Sequence, residues 1–160
     1  MINAQHEVDR IDLQILEALL LDARLSSAEL AERVDLTTSP CWRRVKRLEQ
    51  EGIIRGYHAD VDMKKLGFHV TAFVYVSLDK KDEKHVKAFE DAVVTSPQIL
   101  TCSCISGRYD HQLTVTARTL DEFGEFARHQ IGALPNVKEV YSPFVLKEVK
   151  PLRQPIFDLK

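Results

Sequence analysis

Cysteine is scarce in this sequence: Cys41, Cys102 and Cys104 are the three in 160 residues. An odd number without framework spacing excludes a disulfide scaffold and fits a reducing compartment. Long apolar runs are missing as well. No stretch of about 18 apolar residues could cross a bilayer, and no basic segment followed by an apolar one opens the chain, so the expected location is the cytoplasm, with no membrane partner. There is no glycine-rich phosphate loop, no His-Glu-x-x-His pair and no nucleophile elbow, and the six histidines are dispersed. That leaves no catalytic residues, no metal site and no cofactor to assign. Apolar residues at 44% and charged residues at 29% exclude a wholly disordered chain.

The net charge of −2 hides an uneven distribution. Residues 1–36 carry eight acids against three bases, a balance of −5, whereas residues 37–56 carry five bases against two acids, a balance of +3. A basic patch inside an acidic neighbourhood points to nucleic acid more than the bulk charge does, because one face makes the phosphate contacts.

That patch lies on Thr37-Thr38-Ser39-Pro40-Cys41-Trp42-Arg43-Arg44-Val45-Lys46-Arg47-Leu48, ending at Gly52. Ser39 is expected at the N-cap with Pro40 at the first helical position, and Gly52 as the left-handed residue after the last turn. Cys41, Val45 and Leu48, spaced i, i+4, i+7, form one narrow apolar stripe; Trp42, Arg43 and Lys46 lie opposite, with Arg44 and Arg47 at the flank. Trp42 admits two readings, DNA-facing or packed. Arg47 has Glu51 at pairing distance along the helix, and Arg44 has no such neighbour.

Two helices precede it. Ile11, Ile15, Leu16, Leu19 and Leu20 give helical periodicity over residues 9–22, with Asp9 as cap. Ser26 and Glu29 match a capping box that opens a second, shorter helix through Leu30, Ala31 and Val34. A turn of about four residues then makes a helix-turn-helix. Residues 53–62 are β-biased and are expected as a wing or strand, and Met63–Gly67 as one helical turn.

From Phe68 the period changes to two: Phe68, Val70, Ala72, Val74, Val76 and Leu78 alternate with His69, Thr71, Phe73, Tyr75 and Ser77. A helix over 82–95, a strand over 98–106, a turn at Gly107–Asp110, a strand over 111–117, a helix on Leu120, Phe123, Ala127, Ile131 and Leu134, and a strand over 137–149 follow. This order is the split βαβ, a four-stranded antiparallel sheet with both helices on one face. The uncovered face, with Phe73 and Tyr75, predicts self-association. Cys102 and Cys104 fall on one face of a strand about 7 Å apart, unsuited to a disulfide; buried small hydrophobes is the simplest reading, with a thiol sensor or soft-metal site as the others. The Gly107-Arg108-Tyr109-Asp110 turn reads by itself as a β-turn in which Asp110 caps the backbone.

The helix-turn-helix segment LAERVDLTTSPCWRRVKRLEQEGIIRGY, followed by a βαββαβ unit with GRYD between its middle strands and VLKEVK in its last, resembles the leucine-responsive regulatory protein/AsnC family of transcriptional regulators. The likeness runs from about Asp9 to Lys150. It implies an α+β chain: an N-terminal winged helix-turn-helix over 1–53, a strand or linker over 54–67, a ferredoxin-like, RAM-type effector-binding and oligomerisation domain over 68–150, and a tail over 151–160. The implied partners are double-stranded DNA, further copies of the chain as a homodimer or an octamer, and an amino-acid-type effector. The DNA-binding residues would be Thr37, Thr38, Ser39, Pro40, Trp42, Arg43, Arg44, Lys46 and Arg47. The effector would sit at Ser106, Gly107, Arg108, Tyr109 and Asp110, with Ser142 lining the site and Asp110 accepting from an α-ammonium. Arg108 departs from the acidic residue the family often carries there. The function implied is a sequence-specific transcriptional regulator tuned by that effector; the alternatives are a stand-alone amino-acid-binding module and a thiol- or metal-sensing regulator.

Overall fold

The computed structural model describes residues 8–150; the tail expected over 151–160, with Pro151 and Pro155, lies outside the described residues. Three helices come first, α1 (Arg10–Leu21), α2 (Ser27–Arg33) and α3 (Thr38–Gln50). The expected cap at Asp9 and the expected capping box at Ser26 both form, and the Asp9 cap proves to be a reciprocal box as well. The Asp9 carboxylate accepts from the Asp12 amide at 2.9 Å while Asp12 accepts from the Asp9 amide at 3.0 Å, and Ser26 and Glu29 exchange the same pair of bonds. Ile15, Ala18, Leu30, Ala31, Val34, Cys41 and Leu48 are buried together as one core. Leu20, expected on the α1 stripe, is instead exposed: it lies at the end of the helix, beyond what α2 and α3 cover.

α3 begins earlier than expected. Its N-cap is Thr37, whose side chain makes no capping bond, and Thr38, Ser39 and Pro40 all lie within its first turn. The first intrahelical bond runs from the Cys41 amide to the Thr37 carbonyl at 3.2 Å. A proline in the first turn forfeits nothing, because the first amides of a helix have no intrahelical acceptor. The cost to Ser39 of preceding a proline is thereby overridden.

Residues 53–62 do not form the expected wing strand: among the described residues no strand precedes β1. A strand needs a partner's amides and carbonyls, and this unit offers none, so β-propensity alone has nothing to pair with. The segment is tied back instead by the Tyr57 hydroxyl, which donates to Glu49 at 2.9 Å; burial, then that carboxylate, push the phenol's pKa up to about 12. Met63–Gly67 forms the expected turn, ended by Gly67 at φ +88°.

The second unit, Val61–Glu148, holds β1 (Val70–Leu78), α4 (Glu83–Val94), β2 (Ile99–Cys104), β3 (His111–Ala117), α5 (Leu120–Phe126) and β4 (Val137–Tyr141). The sheet order is β2-β3-β1-β4 with every neighbouring pair antiparallel. Ala72, Val74, Val76 and Leu78 of β1 and Leu113, Val115 and Ala117 of β3 pack with Phe89, Val93, Phe123, Phe126 and Ile131, which places both helices over one face. The α5 periodicity is interrupted: residues 127–131 form a π-helical turn closed by the Gly132 amide on the Ala127 carbonyl at 3.0 Å. Leu120, expected in the buried stripe, is exposed in the first turn, and Phe126 is buried in its stead.

The last strand stops at Tyr141 rather than running to Val149, since Pro143 has no amide for the ladder. Its neighbours still follow the β1 edge: the Phe73 amide donates to the Pro143 carbonyl at 3.0 Å, and the Val145 amide to the Thr71 carbonyl at 2.8 Å. Cys102 and Cys104 were expected to be buried. They share the helix-facing register of Leu113 and His111, but β2 is the edge strand of the sheet, and both residues are exposed. Among the described residues no three His, Cys, Asp or Glu side chains converge to hold a metal.

Candidate functional site

The turn that presents α3 is built by backbone chemistry. Asp35 takes a left-handed conformation at φ 54°, the Leu36 amide reaches the Ala31 carbonyl at 2.9 Å, and the Asp35 amide reaches Glu32 at 3.3 Å. This is a Schellman motif with aspartate in the usual glycine position, which its short polar side chain tolerates. It ends α2 and reverses the chain into Thr37.

On α3 itself Cys41 and Leu48 are wholly buried, and burial pushes the Cys41 thiol above its ordinary pKa. Trp42 is 51% exposed, so it is not a core residue of this chain, and a DNA-facing or a dimer-packing place both accommodate it. Arg43 is exposed and has no hydrogen-bond or ion-pair partner among the described residues. Lys46 pairs with Glu49 at 2.7 Å across the surface. Thr37, Thr38 and Ser39 are exposed at the helix N-terminus, with Pro40 half-buried beside them.

Arg44 and Arg47 are placed differently. Arg44 Nη1 reaches Asp9 at 2.6 Å and Asp12 at 2.9 Å, and Arg47 Nη2 is bonded to the other Asp12 oxygen. Where Glu51 was the neighbour expected for Arg47, the structure sends it to α1, with its Nε buried. The Asp12 side chain is 0% exposed. The Asp12 amide, and after it the Arg44 guanidinium, hold the Asp9 carboxyl below its ordinary pKa. Sequence periodicity missed Asp12, which falls among the apolar residues of α1; the available signal was the surplus of acid in residues 1–36 facing an adjacent surplus of base.

The second site lies at the end of the sheet. Gly107 has φ +118°, and none of the amides of Ser106, Gly107, Arg108 and Tyr109 donates a hydrogen bond among the described residues. Asp110 closes the turn from below: its Oδ2 accepts the Leu78 amide at 2.8 Å and its Oδ1 accepts Lys81 Nζ at 2.7 Å. Lys81, then the Leu78 amide, keep this carboxyl below the usual carboxylate range. Arg108 lies over the Tyr109 ring and bonds Glu139 at 3.1 Å. Tyr109 stacks on Tyr141, and both rings contact Tyr75, a trio on the sheet face without helices. Sequence reading picked out Tyr75 but not Tyr141, because their contact depends on the Tyr75↔Tyr141 register. Ser142 follows Tyr141 and is half-buried, with no hydrogen bond to the turn among the described residues.

Comparison with known proteins agrees with this two-part arrangement. Residues 8–55 match the winged helix-turn-helix DNA-binding family and residues 71–155 the Lrp/AsnC ligand binding domain. The chain is 40% identical over 143 residues to the Bkd operon transcriptional regulator of Pseudomonas aeruginosa, covering 89% of this chain and 94% of that one. It is 36% identical over 144 residues to the leucine-responsive regulatory protein of Rhizobium meliloti, covering 90% and 92%. Its fold superposes on a transcriptional regulator from Neisseria meningitidis solved as an L-Met complex, with a TM-score of 0.87, 34% identity and coverage of 92% and 96%. With a helix-turn-helix ahead of a ligand-binding βαββαβ domain, and relatives that are regulators rather than enzymes, the chain belongs to the Lrp/AsnC family of DNA-binding transcriptional regulators.

Proposed function

We propose that this regulator reads DNA with Trp42, Arg43 and Lys46, steadied on phosphates by Thr37, Thr38 and Ser39, and that an amino acid bound at the Ser106–Tyr109 turn tunes the reading. The observation that carries the DNA assignment is Arg43, exposed and without a partner among the described residues, on the solvent face of a helix whose other side is buried. A major groove admits one such helix, and a guanidinium there reads guanine O6 and N7 together. Lys46, itself exposed, is held by the half-buried Glu49 carboxylate in a surface ion pair, a bond weak enough to exchange for phosphate.

For the effector, the four unengaged amides with Gly107 at their centre suit a carboxylate, and the L-Met complex of the Neisseria meningitidis regulator favours an amino acid. Asp110 anchors that turn through the Leu78 amide and Lys81, and its carboxylate keeps lone pairs with which to accept from the ligand's ammonium. Assembly into a homodimer or larger oligomer through the open sheet face, in the cytoplasm, completes the reading. Only a difference in effector affinity between alternative assemblies would then change DNA binding.

Replacing both Arg43 and Lys46 by alanine is expected to lower affinity for a duplex selected by the unaltered chain from a random-sequence library by 100-fold or more, at about 1–3 kcal/mol for the arginine contact alone, with the circular dichroism unchanged. Retained selective binding in that variant would refute the assignment.

A further inference from the structure

The most deeply buried charge described in the chain serves no packing purpose of its own. Asp12 is wholly inaccessible, yet it accepts from two arginines of the neighbouring recognition helix, while Asp9 takes a second bond from Arg44. These two carboxylates are also the reciprocal capping box of α1. The first turn of α1 is therefore a rigid acidic seat, its oxygens fixed by backbone amides before any arginine arrives. Arg44 and Arg47 lie three residues apart, so both guanidiniums reach one carboxylate only at a particular rotation and axial position of α3. Apolar contacts from Cys41 and Leu48 tolerate sliding; a two-point charge-assisted clasp does not.

We infer that Asp12 is the positioning residue of the DNA-reading helix: by clasping Arg44 and Arg47 it fixes the orientation of Trp42 and Arg43, and it removes two of the helix's four cations from the phosphate-binding set. The clasp rests on the DNA-binding reading given above, and it makes a separate claim about it. Selectivity depends on an acidic residue that never touches DNA, and the number of phosphates neutralised is smaller than the count of basic residues on α3 suggests. A freed arginine would bind any phosphate. Loss of the clasp therefore exchanges sequence reading for indiscriminate attraction.

The test is Asp12→Asn in the full chain, assayed well below its melting temperature against two duplexes, the one selected by the unaltered chain and a mixed-sequence duplex of equal length. Asparagine keeps the shape and the capping acceptor but gives up the charge. The expected result is a fall of tenfold or more in the ratio of selected to mixed affinity, together with a salt dependence on the mixed duplex steeper by about one to two units, near 0.9 for each phosphate newly contacted. A carboxylate that merely stabilises the fold would lower the melting temperature and leave both the ratio and the slope where they were; that result overturns the inference. Should Asp12→Asn fail to fold, Arg47→Gln, which leaves Asp12 paired with Arg44, decides the matter. Its slope is expected to stay within half a unit of the unaltered chain, whereas Lys46→Gln, which removes the cation free to exchange its carboxylate for phosphate, lowers the slope by about one. An Arg47→Gln slope lowered by a full unit would make Arg47 a phosphate contact and overturn the inference. If the unaltered chain selects no duplex, it is the DNA assignment of α3 that fails, an outcome distinct from a selected duplex whose ratio Asp12→Asn leaves intact.

Discussion

Two carboxylates in this chain hold neighbouring elements in place through their own bonds, Asp12 under α3 and Asp110 under the turn at Gly107. Asp110 differs from Asp12 in being partly accessible and in leaning on an exposed lysine, so its worth is modest. Asp110→Asn is expected to cost about 1–2 kcal/mol at pH 7, the value of charge-assisted bonds discounted for the solvent around Lys81, read as a shifted denaturation midpoint. Its folded pKa is depressed by Lys81 and then by the Leu78 amide, below an unfolded value of about 4. The stabilisation is therefore complete above about pH 5 and is lost as pH falls through the folded value. The gap between the unaltered chain and Asp110→Asn should narrow when the same denaturation is run near pH 3, and a gap that stays constant would mean that the carboxylate's charge is not what anchors the turn.

At the scale of elements, α2 and α3 end in the same way. After α3, the Ile53 amide bonds the Leu48 carbonyl at 2.9 Å and the Gly52 amide bonds Glu49 at 3.0 Å, with Gly52 at φ +70°. Ile53 packs against the same core as Leu48, the apolar contact that accompanies this motif. A Cβ at Gly52 would meet nothing within 4 Å, so Gly52→Ala isolates the backbone cost, expected at about 1 kcal/mol. Urea denaturation followed by Trp42 fluorescence measures it, and an unchanged midpoint would show that α3 can end without this residue. Gly52 was legible because glycine announces a left-handed position. Asp35, in the same conformation, was not: aspartate occupies turns, caps and surfaces alike, and only the hydrogen bonds to Ala31 and Glu32 distinguish its role.

For the whole molecule, the open sheet face matters most. Phe73 is exposed on β1, Tyr75 and Tyr141 stack beside it, and threonines and Gln112 fill the rest. Such a face covered by a second copy would bury its aromatics, and Phe73→Lys would place an ammonium in that contact. Sedimentation velocity at micromolar concentration is expected to show dimers or larger species for the unaltered chain and a shift towards monomer for Phe73→Lys, with unchanged circular dichroism; a monomeric unaltered chain would refute assembly through this face. Alternation along β1 made the two faces of the sheet legible in advance, since period two survives any packing. The absence of the expected wing strand was not, because residues 53–62 carry β-propensity and only the tertiary structure shows that they have no partner to pair with.

The sequence by itself determined the elements and their order: the cap at Asp9, the capping box at Ser26, helical and strand periods, and the glycines at 52, 67 and 107 are local properties, decided within a few residues of chain. Tertiary structure alone decided what the charges do. Arg43, Arg44, Lys46 and Arg47 are indistinguishable as a basic run, and what sets Arg44 and Arg47 apart from an Arg43 unpaired among the described residues and a Lys46 paired locally with Glu49 is the clasp of Asp9 and Asp12, more than thirty residues earlier. A guanidinium's role is set by the nearest carboxylate in space, and chain separation carries no information about that distance.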